Sequence, residues 1–559
     1  MTISAVLALG GGVLVSAGPG AASAQPMCDG RAATIVVTYG NQTVEGTAAR
    51  DVILVDGDYG GLVVRGNGRR DRICGGRNDE RLEGGPGDDR IFAGAGTDRL
   101  FGGEGDDLLD AGSTRRGDET GFLKAQYLRP GPGRDIVRGV DRLRTNDLVD
   151  YSHSKRRLRL DVADPGPGAD VLSGIRTIVG TRFDDRIRAA GGREDLVGSG
   201  GDDLLAARGG NDYLYGHINR SSDHAGLLAE PGADGDDRLL GGDGIDFPTP
   251  GPGQNVVRGG PGNDHVDVFK TRGDRLYGGG DSDYLMMTSD DAIRLDLRVP
   301  PEPPDSSIEG FEAYELVADS GRVHGTDGDD RIFTRTETHR NGDFVVHGHG
   351  GDDELAGTVM IGGPGNDDLR DGREGRGGSG DDRVIWVKKA YGGDGTDKLG
   401  GSVIGDGGDE NDKIYVGWDL AAGNGPADRP RSYRGGDGDD EFPHLVGEVW
   451  RNVEIDGGPG TDAMQLGDNT ELTARVDLAA GTEEIDIPPD WLEPNPPEPP
   501  FVFEATLAGI ENVLGTGGDD VLAGDDQDNE LIGGEGDDTI DGRGGADTCE
   551  GETVSNCEA

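Results

Sequence analysis

The sequence predicts an all-β chain of parallel β-roll or β-solenoid segments made of nonapeptide repeats and separated by wider strand-loop coils. Three observations carry this expectation. A nine-residue unit of the form Gly-Gly-x-Gly-x-Asp, followed by an aliphatic residue at its eighth position, recurs through much of the chain. Glycine occurs 105 times, and Asp plus Glu 108 times. Only 33% of the 559 residues are hydrophobic and 5% aromatic, too few for a large apolar core.

Against 54 Lys plus Arg, the acids leave a formal net charge of -54, which opposes compaction. On composition alone a disordered acidic chain is the competing reading, because low hydrophobicity and high charge bury too little to offset conformational entropy. Nucleic acid is excluded as a partner, since the chain would repel a polyanion of its own sign. Metal cations are the natural counter-charge.

From the N-terminus, an apolar run reaches Val15 and is followed by small residues and Ala22-Ser-Ala24. This predicts a secretory signal over 1–24, cleaved before Gln25, and a secreted, extracellular protein. No later stretch approaches the roughly 20 apolar residues of a transmembrane helix. Cys28 and Cys74 lie near one end, Cys549 and Cys557 near the other. An even number in an exported chain favours the disulfides Cys28–Cys74 and Cys549–Cys557, stapling the terminal coils that fray most easily.

Five nonapeptides run without a gap from Gly66 to Asp110, and further unbroken runs cover 180–215, 232–267 and 515–550. Between Gly325 and Gln465 the unit recurs less regularly, as in GGPGNDDLR and GGDGTDKLG. Glycines permit the tight turn and positive φ, the sixth-position acid supplies a carboxylate, and the eighth-position aliphatic faces inward from a short strand. Two nonapeptides make one coil. Same-side carboxylates are then 18 residues apart, as Asp89 and Asp107 or Asp520 and Asp538 are, and an ion can sit between them. Hard carboxylate and carbonyl oxygens suit Ca²⁺ better than Zn²⁺, Cu²⁺ or Mg²⁺. The candidate ligands are Asp89, Asp98, Asp107, Asp185, Asp203, Asp212, Asp237, Asp246, Asp264, Asp283, Asp330, Asp353, Asp367, Asp382, Asp397, Asp440, Asp462, Asp520, Asp538 and Asp547.

These units resemble the hemolysin-type calcium-binding repeat family, also called RTX, whose motif is GGxGxDxUx with U a large aliphatic residue. The resemblance spans most of residues 37–550. It implies a right-handed parallel β-roll, with Ca²⁺ held by the sixth-position Asp and backbone carbonyls, disordered until the ion arrives. Departures mark turns expected to bind weakly or not at all: Glu80 and Glu194 replace the Asp, Asn255 and Asn529 lack its charge, and Phe183 stands at the fourth-position glycine. Members of that family leave through an exporter that reads an uncleaved C-terminus, whereas this chain has an N-terminal signal.

A longer unit appears three times: an alternating strand (157–162, 293–297, 474–478), a loop, a small apolar turn, then Gly-Thr opening the next nonapeptide. Proline swells two of the loops, at 300–304 and 494–500. Such caps divide the mature chain into an N-terminal roll over 25–149, a second over 150–287, an irregular third over 288–465, and a cap with the C-terminal roll over 466–559. No non-repeat segment is long enough for a separate catalytic domain. Neither H-E-x-x-H nor G-x-S-x-G occurs, and His347-Gly-His349 beside Asp352 and Asp353 reads as a variant turn. The expected function is a secreted calcium-binding protein, structural or adhesive, with a cell-surface, glycan or self-association partner. The alternative is an extracellular polysaccharide-active enzyme or hydrolase with its site on the roll surface.

Overall fold

The computed structural model describes residues 25–38, 43–57, 60–112, 125–140, 146–217, 235–269, 273–298, 307–336, 342–416, 430–444, 452–467, 471–486 and 502–558. The segment expected to be a signal and both proline-rich loops lie outside them. Every regular element among the described residues is a β-strand, nearly all paired in parallel. The chain forms two compact units, Met1–Met286 with Pro301–Phe311, and Met287–Pro300 with Glu312–Ala559.

In the first unit successive strands alternate between sheets, as a chain winding two nonapeptides per coil must. One sheet of ten strands runs unbroken from Thr43–Glu45 to Phe247–Thr249. Its companion has seven strands from Ile35–Val37 to Val171–Ser173, and a third sheet takes over from Arg159–Asp161 to Ser307–Glu309. The first of the longer units is therefore the place where one face of the coil is exchanged while the other continues.

Register places the eighth-position aliphatics in columns. Ile73, Ile91, Leu109, Val137 and Leu172 align on successive coils, as do Val64, Leu82, Leu100 and Leu128 on the other side. Nearly all of them are fully buried. Each such side chain contributes about 1.5–3 kcal/mol relative to exposure, so a one-residue-wide core holds every coil to the next.

The second unit departs from the 18-residue coil. Its strands Asp368–Ser379 and Arg383–Asp394 pair along nearly their whole length with a 15-residue offset, and Leu369, Val384, Leu399 and Ile414 form the column. These coils carry one acidic turn each, not two. A second departure is antiparallel: Thr473–Asp477, Thr482–Asp486 and Val502–Ala508 form an antiparallel meander whose outer strands rejoin the parallel stack.

Both ends are closed as expected. Met27–Cys28 folds back on Arg31–Ala32, and Cys28 is bonded to Cys74; Cys549 is bonded to Cys557.

Candidate metal-binding turns

Each turn is shaped by what its glycines leave out. In GGPGDDRIF (84–92), Gly85 and Gly87 have φ of +105° and +136°, conformations costly for residues with a Cβ. Gly84 serves differently. A Cβ there would strike the Asp89 Oδ2 and lie 2.6 Å from the Gly102 carbonyl oxygen of the next coil. The same cradle of one carboxylate oxygen and one carbonyl oxygen recurs at Gly241, Gly259, Gly362, Gly392 and Gly435.

The sixth-position acids stand in ladders. Within a ladder the Oδ1 of one acid accepts the backbone N–H of the acid one coil earlier: Asp71 donates to Asp89 at 2.7 Å, Asp89 to Asp107 at 2.7 Å, and Asp107 to Asp135 at 2.8 Å. In the second unit Asp353, Asp367, Asp382, Asp397, Asp412, Asp440 and Asp462 continue in the same way at 2.7–2.9 Å. All the candidate aspartates are buried, none above 4% exposed. The other oxygen is the anomaly. Oδ2 is buried without a hydrogen-bond partner in Asp89, Asp98, Asp107, Asp203, Asp212, Asp246, Asp264, Asp353, Asp367, Asp382, Asp397, Asp440, Asp462, Asp538 and Asp547.

A buried carboxylate oxygen facing carbonyl oxygens is costly unless a cation answers it. Burial accordingly pushes Asp89 up to about 7 and Asp382 to about 8; neighbouring carboxylates add to the shift, and the N–H from the adjacent coil opposes it. Comparison with family models finds a calcium-binding repeat. The RTX calcium-binding nonapeptide repeat matches residues 75–109, 177–205, 189–218, 232–248, 250–268 and 514–549. The chain carries RTX calcium-binding repeats. No curated protein matches it.

The RTX turns fit Ca²⁺. Their donors are hard oxygens alone, one carboxylate per turn with backbone carbonyls beside it. Among the described residues no group of three or more His, Cys, Asp or Glu side chains is arranged to hold a metal, so an ion here must draw on the backbone. The sixth-position Asp and the first-position carbonyl of the following coil are the residues that would hold it.

Several ladder members escaped the sequence reading. Asp71 and Asp412 stand sixth in GNGRRDRIC and GGDENDKIY, and Asp135 and Asp170 stand sixth in PGPGRDIVR and PGPGADVLS. The signal was present, because a Pro-Gly-Pro-Gly opening also occurs in the recognised unit PGPGQNVVR. Asp147, Asp274 and Gln126 occupy rungs without a recognisable motif.

A second ladder runs along the fifth position in the opposite direction. Its side-chain oxygen accepts the fifth-position N–H of the following coil, as Asp202 to Asp184, Asn366 to Asp352, Asp381 to Asn366 and Thr396 to Asp381 do. These residues are exposed, and Asn serves as well as Asp because only an acceptor is required. The Asp-Asp pairs are thus two opposed stitches, one wet and one buried.

His347 and His349 meet His324, whose Nδ1 lies 3.0 Å from the His349 Nε2. The Arg298 guanidinium stands 3.5 Å from the other nitrogen of His349, a poor neighbour for a further cation. Ser152, His153 and Asp150 also converge, but Ser152 Oγ and Asp150 Oδ2 approach the same Nδ1, at 3.2 and 3.1 Å, so no nucleophile-to-base relay exists there.

Proposed function

We propose that this is an exported calcium-binding protein, structural or adhesive in role, whose rolls fold as Ca²⁺ loads the turns. The observation that carries the reading is the row of buried Oδ2 atoms without donors, spaced one coil apart along each ladder. Without a cation each is a penalty on folding; with one, ion-binding energy becomes folding energy. Extracellular Ca²⁺ modules bind at about 10⁻⁴–10⁻³ M, so such a chain stays open at cytoplasmic calcium and closes outside the cell. The N-terminal signal and the two disulfides agree with an oxidising destination.

The test is a Ca²⁺ titration of chain 25–559 followed by far-ultraviolet circular dichroism, with Mg²⁺ as control. A cooperative rise in β signal with Ca²⁺ alone is expected. A trace unchanged to several millimolar Ca²⁺ rejects the reading. An adhesive role by self-association requires growth in light scattering when Ca²⁺ is added, and a monomer throughout leaves the cell-surface or glycan partner as the remaining form of that role.

A further inference from the structure

Not every rung asks for an ion. At four turns a Gly-Thr pair replaces Gly-Gly, and in each the threonine answers its own sixth-position carboxylate. The Thr47 hydroxyl donates to Asp51 at 2.8 Å, Thr181 to Asp185 at 2.8 Å, Thr326 to Asp330 at 3.0 Å and Thr516 to Asp520 at 2.8 Å. The backbone N–H of each threonine donates to the Oδ2 of the same aspartate. Unlike the second-position glycines Gly85, Gly242, Gly260, Gly363, Gly378 and Gly393, these threonines do not have positive φ.

Two further devices give the same result. Glu194, one methylene longer than Asp, reaches back to its own turn, and the Gly192 N–H donates to both its oxygens, at 3.1 and 2.9 Å. Where an amide replaces the acid, its NH₂ donates to a carbonyl oxygen: Asn255 to Gly251 at 3.0 Å, Asn529 to Glu511 at 3.0 Å, and Gln126 to Gly96 at 2.8 Å. An N–H there supplies the positive end that a cation supplies elsewhere.

Position in the ladder separates the two kinds of rung. Asp51, Asp185, Asp330 and Asp520 each donate onward to the next carboxylate, at Asp71, Asp203, Asp353 and Asp538. What precedes Asp185 and Asp520 is not an acid: the N–H groups of Leu158 and Ala474, from strands of the longer units, donate to them. Such a rung is the first carboxylate of its ladder, with a strand N–H on its earlier side and an acid only on its later side.

We propose that the Gly-Thr turns are ion-independent opening rungs, each presenting a finished, hydrogen-bonded carboxylate on which the first Ca²⁺-dependent coil is laid, and that Gln126, Asn255 and Asn529 are ion-free rungs of the amide kind. This rests on the calcium reading above and refines it: Ca²⁺ occupies the interior acids and passes over Asp185, Asp330 and Asp520. The Gly-Thr of each longer unit is then a start signal for a ladder.

The experiment counts Ca²⁺ per folded chain 25–559, by equilibrium dialysis and metal analysis, for the unaltered protein and for Thr516→Gly, Thr181→Gly and Asn255→Asp. The threonine substitutions remove the hydroxyl donor and free the turn to take the positive φ of the glycine turns, which carries the remaining backbone N–H away from the carboxylate; Asn255→Asp removes the amide donor; each is expected to add one bound ion per chain. Asn255→Asp is nearly isosteric, so it gives the answer even if a threonine variant fails to fold. An unaltered protein that binds Ca²⁺ beside variants that bind the same number overturns this proposal and leaves the calcium reading standing. No Ca²⁺ on the unaltered protein overturns both.

Discussion

At the scale of single residues, two adjacent aspartates of one motif do opposite things, and the difference is one of satisfaction. Asp381 is exposed and needs only to accept the Thr396 N–H, at 3.1 Å, whereas Asp382 is 2% exposed with an Oδ2 that no protein donor reaches. Asp381→Asn keeps its acceptor and is expected to change neither the bound-ion count nor, beyond about 0.5 kcal/mol, the stability. Asp382→Asn is expected to bind one Ca²⁺ fewer per chain and to need a higher Ca²⁺ concentration for folding. Equal losses from the two variants would refute the assignment of the ion to the sixth position. The first-position glycine gives a companion case. Gly392→Ala sets a Cβ against Asp397 Oδ2 and within reach of the Gly407 carbonyl oxygen, so the loss of an ion is expected with every carboxylate still in place. The sixth-position acids of the Gly-Gly-x-Gly units were legible in the sequence because spacing singles them out, whereas Asp71, Asp135, Asp170 and Asp412, in less regular units, were passed over. The fifth-position ladder was not legible, because Asp and Asn alternate there and resemble ordinary turn polarity; nor were the threonine-answered rungs, since nothing in a spacing tells which carboxylates already have donors.

At the scale of elements, the aliphatic columns follow from the motif and the coil length does not. A 9-residue period predicts 18 residues per coil, as between Asp89 and Asp107, yet Asp367, Asp382, Asp397 and Asp412 follow one another at 15. There the second turn is made without a Gly-Gly-x-Gly unit, at Asp371, Trp386 and Gly401, which take positive φ instead. The antiparallel meander at 473–508 was equally hidden, since an alternating strand reads alike in either direction. A buried contact joins the meander to the parallel stack: Glu483, on its middle strand, lies 3.0 Å from the His444 Nδ1, with the side chains 0% and 1% exposed. Removing the Glu483 side chain leaves a cavity beside an imidazole that stays buried, at a cost of about 1–3 kcal/mol. Glu483→Ala is therefore expected to lower the urea midpoint of the Ca²⁺-loaded chain clearly while leaving the ion count unchanged. An unaltered midpoint would show that the parallel strands around the meander hold it without the pair.

At the scale of the whole molecule, the proposed calcium sites and the charge of -54 would make proton and calcium rivals for the same buried oxygens. Burial raises the carboxyls of Asp89 and Asp264 to about 7 and those of Asp382 and Asp412 to about 8, all above an unfolded value near 4. An acid whose pKa is higher folded than unfolded binds more protons in the folded state. Stability of the ion-free coils is then fully present below about pH 4 and falls as pH rises through 7 to 8. In chelator, lowering the pH from 8 to 5 is expected to increase β signal and shift the thermal transition upward. With Ca²⁺ present the sign reverses, because the ion requires the carboxylate and must displace the proton: affinity is expected to weaken across the same window, and binding at pH 6.5 to release protons measurable in weakly buffered solution. The two responses come from one set of groups, so they stand or fall together. Chelated protein indifferent to pH, alongside calcium affinity that still fell on acidification, would place the titrating groups outside the ladders.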